Sequence, residues 1–301
     1  MPTAPGFRSG ADRGMIARRH RSGSEEYMTV VHIADVVDLD RYPLHSPDSQ
    51  RCQELLRNGR ECLREESLFV LPGFIRAGAI ARMAAELEER LPWAARYEAM
   101  AGSYVPDGND WPPGHPRTAT HLFRYHQVLN YQIPNDSPLR SVYVWEPLRE
   151  FLRQLMGYDT FHRSECPHLA LTAKLAGEGD TDGWHFDGND VVFSVLLQAP
   201  EDGGEFEYMP RVRSDFDENY DAVAGVFAGE GKGVRRARLC VGDLNVFQGN
   251  HTLHRVSPVK GGRRRIVGLF SYDRLPGTNF GEPYISRLRR DTPGVTALAS
   301  T

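Results

Sequence analysis

Two short polar stretches, far apart in this chain, constrain its fold because they can act only together. Trp184-His185-Phe186-Asp187-Gly188-Asn189-Asp190 sets a histidine and a carboxylate two residues apart. In an extended strand, residues i and i+2 project from the same face. His185 and Asp187 can therefore grip one cation from one side, with Phe186 turned away. Two protein ligands do not make a metal site, so a third donor must come from elsewhere. The segment Gly249-Asn250-His251-Thr252-Leu253-His254-Arg255-Val256-Ser257-Pro258-Val259 offers His254, with His251 as the competing donor. Alone, the His185/Asp187 spacing is equally that of a turn histidine bonded to an aspartate. With His254 it demands a fold that lays two distant strands side by side.

The rest of the chain suggests such a fold. Residues 1–28 are rich in Arg, Gly and Ser and read as a disordered tail, with Met28 a candidate natural start. A region over 29–158 is expected to supply helices and loops that pack on a barrel. One helix opens at Ser46-Pro47 and runs through Cys52, Leu55, Leu56 and Leu63. After a short apolar strand over 67–74, Ile80, Met83, Ala84, Leu87 and Leu91 mark an amphipathic helix that Pro92 stops. Residues 101–116, crowded with Gly, Pro, Asp and Trp, read as a long functional loop. Glu146-Pro147 starts a further helix, and Gly157 suits its end.

From residue 159 to 275 the period becomes that of strands. Runs over 168–176, 191–199, 205–209, 236–241, 244–248, 254–259 and 263–273 alternate with turns such as Gly242-Asp243 and Gly261-Gly262. Residues 215–233 read as an insertion, and 276–301 as a tail that wraps back or frays. Helices first and strands afterwards suggest a mainly β (α+β) protein, a helical layer on a cupin-like jelly roll or double-stranded β-helix.

Composition removes several function classes. The 301 residues carry a formal net charge of -4, which gives no support for nucleic-acid binding. The cations are nearly all arginine, with only Lys174, Lys232 and Lys260 as lysines. No apolar run is long enough to span a bilayer, and the N-terminus lacks the apolar core of a secretory signal. Cys52, Cys62, Cys166 and Cys240 form no CxxC pair and read as reduced thiols, so a cytoplasmic location is expected. No GxSxG elbow of a serine hydrolase is present.

Two histidines and one carboxylate on one face, with open positions opposite, suit Fe(II). Beyond His254, Arg263-Arg264-Arg265 leads into the apolar run Ile266-Val267-Gly268-Leu269-Phe270-Ser271-Tyr272-Asp273. An arginine entering a buried strand is costly unless an anion pairs with it, and its fork matches a carboxylate. Arg263 and Arg265 share a face with Val267, Leu269 and Ser271, whereas Arg264 faces away.

This HxD…H…R pattern resembles the Fe(II)/2-oxoglutarate-dependent oxygenases over residues 67–273. Within them it is similar to the branch of free-amino-acid hydroxylases and halogenases. The strings shared with that branch are Trp184-His185-Phe186-Asp187, Gly203-Gly204-Glu205-Phe206-Glu207-Tyr208 and Leu253-His254-Arg255-Val256-Ser257-Pro258-Val259. The resemblance implies Fe(II) on His185, Asp187 and His254, and 2-oxoglutarate held by Arg265 with Ser271 beside it. It implies O2 as co-substrate, a small-molecule substrate, and ascorbate as reductant in vitro. The branch's halogenases replace the carboxylate ligand by a small residue. Asp187 therefore implies oxygenation, most simply hydroxylation of a small polar substrate such as a free amino acid. Arg124 and Asn189 are candidates for binding it. Two other functions fit the residues: a Zn2+ or Mn2+ hydrolase or isomerase on a cupin-like barrel, and a ligand-binding protein without catalysis.

Overall fold

A computed structural model of the protein describes residues 31–104, 110–188 and 191–278, together with Ile285 and Leu288. The expected tail over 1–28 lies outside the described residues, as does most of 276–301. The helices are α1 (Ile33–Val36), α2 (Gln50–Glu66), α3 (Ala77–Arg90), α4 (Pro138–Val144), α5 (Glu146–Met156) and α6 (Tyr220–Phe227). The strands run β1 (Leu68–Leu71), β2 (Ala95–Gly102), β3 (Thr120–Val128), β4 (His162–Arg163), β5 (Leu171–Ala176), β6 (Asp182–His185), β7 (Val192–Gln198) and β8 (Asp202–Gly203). They continue as β9 (Phe206–Met209), β10 (Arg235–Ala237), β11 (Leu244–Phe247), β12 (Leu253–Val256), β13 (Val259–Lys260), β14 (Arg265–Phe270) and β15 (Tyr272–Asp273).

Two antiparallel sheets form the body. One has seven strands in the order β1-β11-β7-β14-β5-β3-β2, and the other has four, β10-β9-β12-β6. This is the expected jelly roll under a helical layer. The alternation of side chains along the larger sheet explains both of its faces. On β5, Leu171, Ala173 and Leu175 join the main core, while Thr172 and Lys174 turn to the cavity between the sheets. On β14, Ile266 and Phe270 join that core, while Arg265, Val267 and Leu269 line the cavity. One face thus binds the helices through Leu56, Met83, Leu87 and Leu152, and the other is left for chemistry.

Local sequence sets the helix ends. The helix expected from Ser46-Pro47 begins instead at Gln50, because the Ser49 hydroxyl accepts the Cys52 N–H and caps it. Pro92 does not stop the chain sharply; it sits in a 3-10 turn, Leu91–Trp93, that extends α3. Gly157 ends α5 in the left-handed conformation, as expected. On α2, Gly59 is a packing position: a Cβ there would lie 2.6 Å from Leu155 and 2.8 Å from Phe69.

Two findings differ from the sequence expectation. The region before residue 159 does more than cover the sheet, since β1, β2 and β3 are strands of it. Tyr97, Phe123 and Tyr125 bury one side of the β2–β3 pair, where Ile285 and Leu288 also pack. The stretch over 215–233 is not a plain insertion but carries α6, whose Val223 and Val226 pack with Trp184, Phe186 and Leu253 behind the four-stranded sheet. All four cysteines are free, and no helix among the described residues is long and apolar enough to cross a membrane.

Candidate metal centre and active-site cavity

Strands β6 and β12 pair antiparallel with His185 and His254 as direct partners. Directly opposed side chains share a face, so the two imidazoles meet, ring centroids 4.1 Å apart. β6 ends at His185, but the chain stays extended enough for the i, i+2 rule to hold. Phe186 donates its N–H to the Ser103 carbonyl, and Asp187 to the Gly249 carbonyl. Asp187 then returns to the histidine face. Its Oδ1 lies 3.5 Å from His185 Nε2, and its Oδ2 lies 3.4 Å from His254 Nε2. Phe186 points the other way, 1% exposed, against Tyr104 and beneath the Arg213 guanidinium.

Both histidines are oriented by their own strands. His185 Nδ1 is 2.7 Å from the Gly183 carbonyl, and His254 Nδ1 is 2.9 Å from the Thr252 carbonyl. A carbonyl only accepts, so Nδ1 carries a proton and Nε2 is the nitrogen turned to the shared space, the one a metal ion would take. Burial alone would raise the Asp187 carboxyl. The imidazoles of His254 and His185 outweigh it and hold the group well below the usual carboxylate range. Burial pushes His185 down, but Asp187 and Asp182 reverse this and leave it raised. Asp187 Oδ2 is buried without a hydrogen-bond donor among the described residues. Gly249 makes room for it, because a Cβ at that position would collide with the carboxylate. One donor atom from each of His185, Asp187 and His254 lies within 4.8 Å of the others. An ionised oxygen set between two imidazole Nε2 atoms fits a divalent cation, and this donor set is compatible with Fe(II). His251 turns outward to Asp215 at 2.9 Å and takes no part.

The three residues line a cavity of about 250 Å³ between the sheets, which Arg265 and Ser271 also line. Arg265 is 8% exposed. Among the described residues no carboxylate or carbonyl accepts a hydrogen bond from its guanidinium. Burial brings its pKa down to about 10, with Asp182 acting in the opposite direction, so it stays charged at neutral pH. Its neighbours are spent elsewhere: Arg263 donates to the Pro200 carbonyl, and Arg264 pairs with Glu88 on α3 at 3.0 Å. Ser271 gives its hydroxyl proton to the Leu169 carbonyl.

Two expected substrate contacts fare differently. Arg124 does not reach the cavity: it pairs with Asp180 at 3.2 Å and donates to the Gly179 carbonyl. The physical reason is that Asp180, buried beside it and shared with Arg96, needs cations around it. Asn189 lies outside the described residues. Sequence reasoning missed Lys174, Asp182 and Asn245, all of which line the cavity. A signal existed for Lys174, as one of three lysines in an arginine-rich chain and set within an apolar strand.

The family model for halogenase D matches residues 115–275, more than half of the chain. No curated protein matches. Among solved structures, SnoN, a non-heme alpha ketoglutarate dependent epimerase from nogalamycin biosynthesis, superposes with a TM-score of 0.53 at 15% identity, covering 73% of this chain and 83% of that one. AviO1 from Streptomyces viridochromogenes Tue57 does so with a TM-score of 0.50 at 18% identity, covering 74% and 96%. SnoK, a carbocyclase of the SnoN pathway, matches with a TM-score of 0.50 at 14% identity, covering 71% and 82%. At such identities these likenesses speak for the fold alone. The family match carries the assignment: this chain belongs to the halogenase D family, within the Fe(II)/2-oxoglutarate-dependent oxygenase superfamily.

Proposed function

We propose that this enzyme oxygenates an unactivated C–H bond of a small polar substrate, a free amino acid or close derivative, by hydroxylation. The observation that carries the proposal is Asp187, a carboxylate in the position that the resembling halogenases leave to a small residue and a halide. In this reading His185, Asp187 and His254 hold Fe(II), and Arg265 receives the distal carboxylate of 2-oxoglutarate. When bound, the metal and keto acid supply oxidising power, as O2 converts 2-oxoglutarate to succinate and CO2.

The chain's own part is binding, orientation and exclusion of water. The Gly183 and Thr252 carbonyls fix both imidazoles in the tautomer that presents Nε2. Asp187, ionised at any working pH, contributes a full negative charge. A divalent cation on Asp187 and neutral imidazoles leaves one positive charge, and Arg265 adds a second. A dicarboxylate dianion balances both, which is why the pair suits 2-oxoglutarate. Phe206, Phe247, Val267 and Leu269 supply apolar walls that keep the site dry and strengthen these interactions.

Family membership favours one second reading, halogenation. It requires a halide beside the metal, where Asp187 Oδ1 and Oδ2 already stand. Incubation with Fe(II), ascorbate, 2-oxoglutarate, chloride and a panel of amino acids separates the two. The expected result is substrate-stimulated succinate formation with a hydroxylated product. A chlorinated product from the unaltered enzyme, or no succinate with any member of the panel, contradicts the proposal.

A further inference from the structure

The cavity holds a second charged group that neither metal binding nor the arginine clamp employs. Lys174 on β5 sits opposite Val267, and Arg265 sits opposite Ala176. The two cations are therefore diagonal neighbours on one face of the larger sheet, and both line the same cavity. Like charges held this close inside a fold need an anion. Asp182, reaching across from β6 of the smaller sheet, is the carboxylate that answers, and it lies on Lys174: Nζ to Oδ2 is 2.5 Å. The ammonium also sits 4.3 Å from the Tyr125 ring centroid, a second hold on its position. The other oxygen, Asp182 Oδ1, is buried with no hydrogen-bond donor among the described residues. One carboxylate thus faces two cations and is claimed by one.

We propose that Lys174 is a positioning residue that keeps Asp182 away from Arg265, so that Arg265 remains open to the carboxylate of 2-oxoglutarate. The inference rests on the function proposed above. The field of Asp182 reaches the Arg265 guanidinium, so the carboxylate already bears on that charge. Without the ammonium, Asp182 is a buried anion with one cation left to satisfy it. Turning to Arg265 then cancels the positive charge that a dianion requires. Lysine suits the task because its compact charge can sit on one oxygen over an aromatic face, whereas an arginine fork would engage both oxygens or the ligand itself.

The test is calorimetric titration of 2-oxoglutarate into the anaerobic Fe(II)-loaded protein, with iron content and thermal stability measured alongside. Lys174→Met is expected to weaken binding on the order of 100-fold with iron content unchanged. Adding Asp182→Asn to it is expected to restore affinity to within about threefold of the unaltered protein. Asp182→Asn alone is expected to bind no more weakly than the unaltered protein. This arm and the double variant decide the matter even if Lys174→Met does not fold. Unchanged binding in Lys174→Met overturns the proposal. So does a double variant as weak as Lys174→Met, since Lys174 would then touch the ligand itself. Asp182→Asn weakened to the same degree overturns it as well. Unaltered protein that binds no 2-oxoglutarate refutes the underlying function, and this inference with it.

Discussion

The two walls of the cavity are built on different principles. On the four-stranded side, each metal-facing histidine is oriented by the carbonyl two residues before it, and Asp187 follows His185 by two residues. The metal-facing groups of that wall are thus set in place by short-range contacts. On the seven-stranded side, Arg265 has no partner of its own within the described residues, and Lys174 pairs with Asp182 from the opposite wall. One wall is a finished donor set, and the other carries surplus positive charge that a ligand must complete. Preorganisation can thus be divided: geometry is invested at the candidate metal centre, and charge is left open where the proposed function seats the co-substrate.

The sharpest way to break this contrast is Asp187→Ala. It removes an ionised ligand and leaves two imidazoles, so iron content is expected to fall to background. 2-Oxoglutarate turnover should drop by about 10³-fold or more. Arg265→Met attacks the other wall. Iron content should hold, while the 2-oxoglutarate KM rises on the order of 100-fold, because a buried charge pair loses one member.

Much of the metal wall was legible in the sequence, because its logic has short range. The i, i+2 rule placed His185 and Asp187 together, and the family resemblance of Leu253-His254-Arg255-Val256-Ser257-Pro258-Val259 pointed to His254 rather than His251. The strand face of Arg265, Val267, Leu269 and Ser271 was also legible, since period two separates it from Arg264. The charge bridge was not. Lys174 and Asp182 meet through the pairing of β5 with β14 and the closure of the two sheets, which no local pattern encodes. The pairing of Arg124 was not legible for the same reason, because its partner Asp180 comes from a distant turn. β1 to β3 were hard to place as sheet strands because their pairing with β11 and β5 is likewise long-range.

Subtler changes sharpen the comparison. Gly249→Ala inserts a methyl group into the space of the Asp187 carboxylate. Iron affinity should fall about 10- to 100-fold, read by competition with a chelator, while the fold persists. His121, behind β6, is held near pKa 4 by burial, with Arg255 and His185 adding to the effect. The unfolded chain takes up this proton near pH 6.5 and the folded chain only near 4. Stability of the metal-free protein should therefore be fully present above 6.5 and decline as pH falls from 6.5 to 4. Thermal melts across that range should show the slope, and His121→Phe should flatten it. The smallest effect is expected from Arg124→Met: 2-oxoglutarate KM unchanged, with at most a modest loss of melting temperature from the Asp180 pair.

The division between a metal wall and a charge wall is tested most directly by titrating 2-oxoglutarate into the anaerobic protein with and without Fe(II). The expected result is one site per chain, bound about 100-fold or more tightly when the metal is present, since both walls must contribute. Equal affinity with and without the metal would contradict it, because the dicarboxylate would then lie somewhere the triad does not reach.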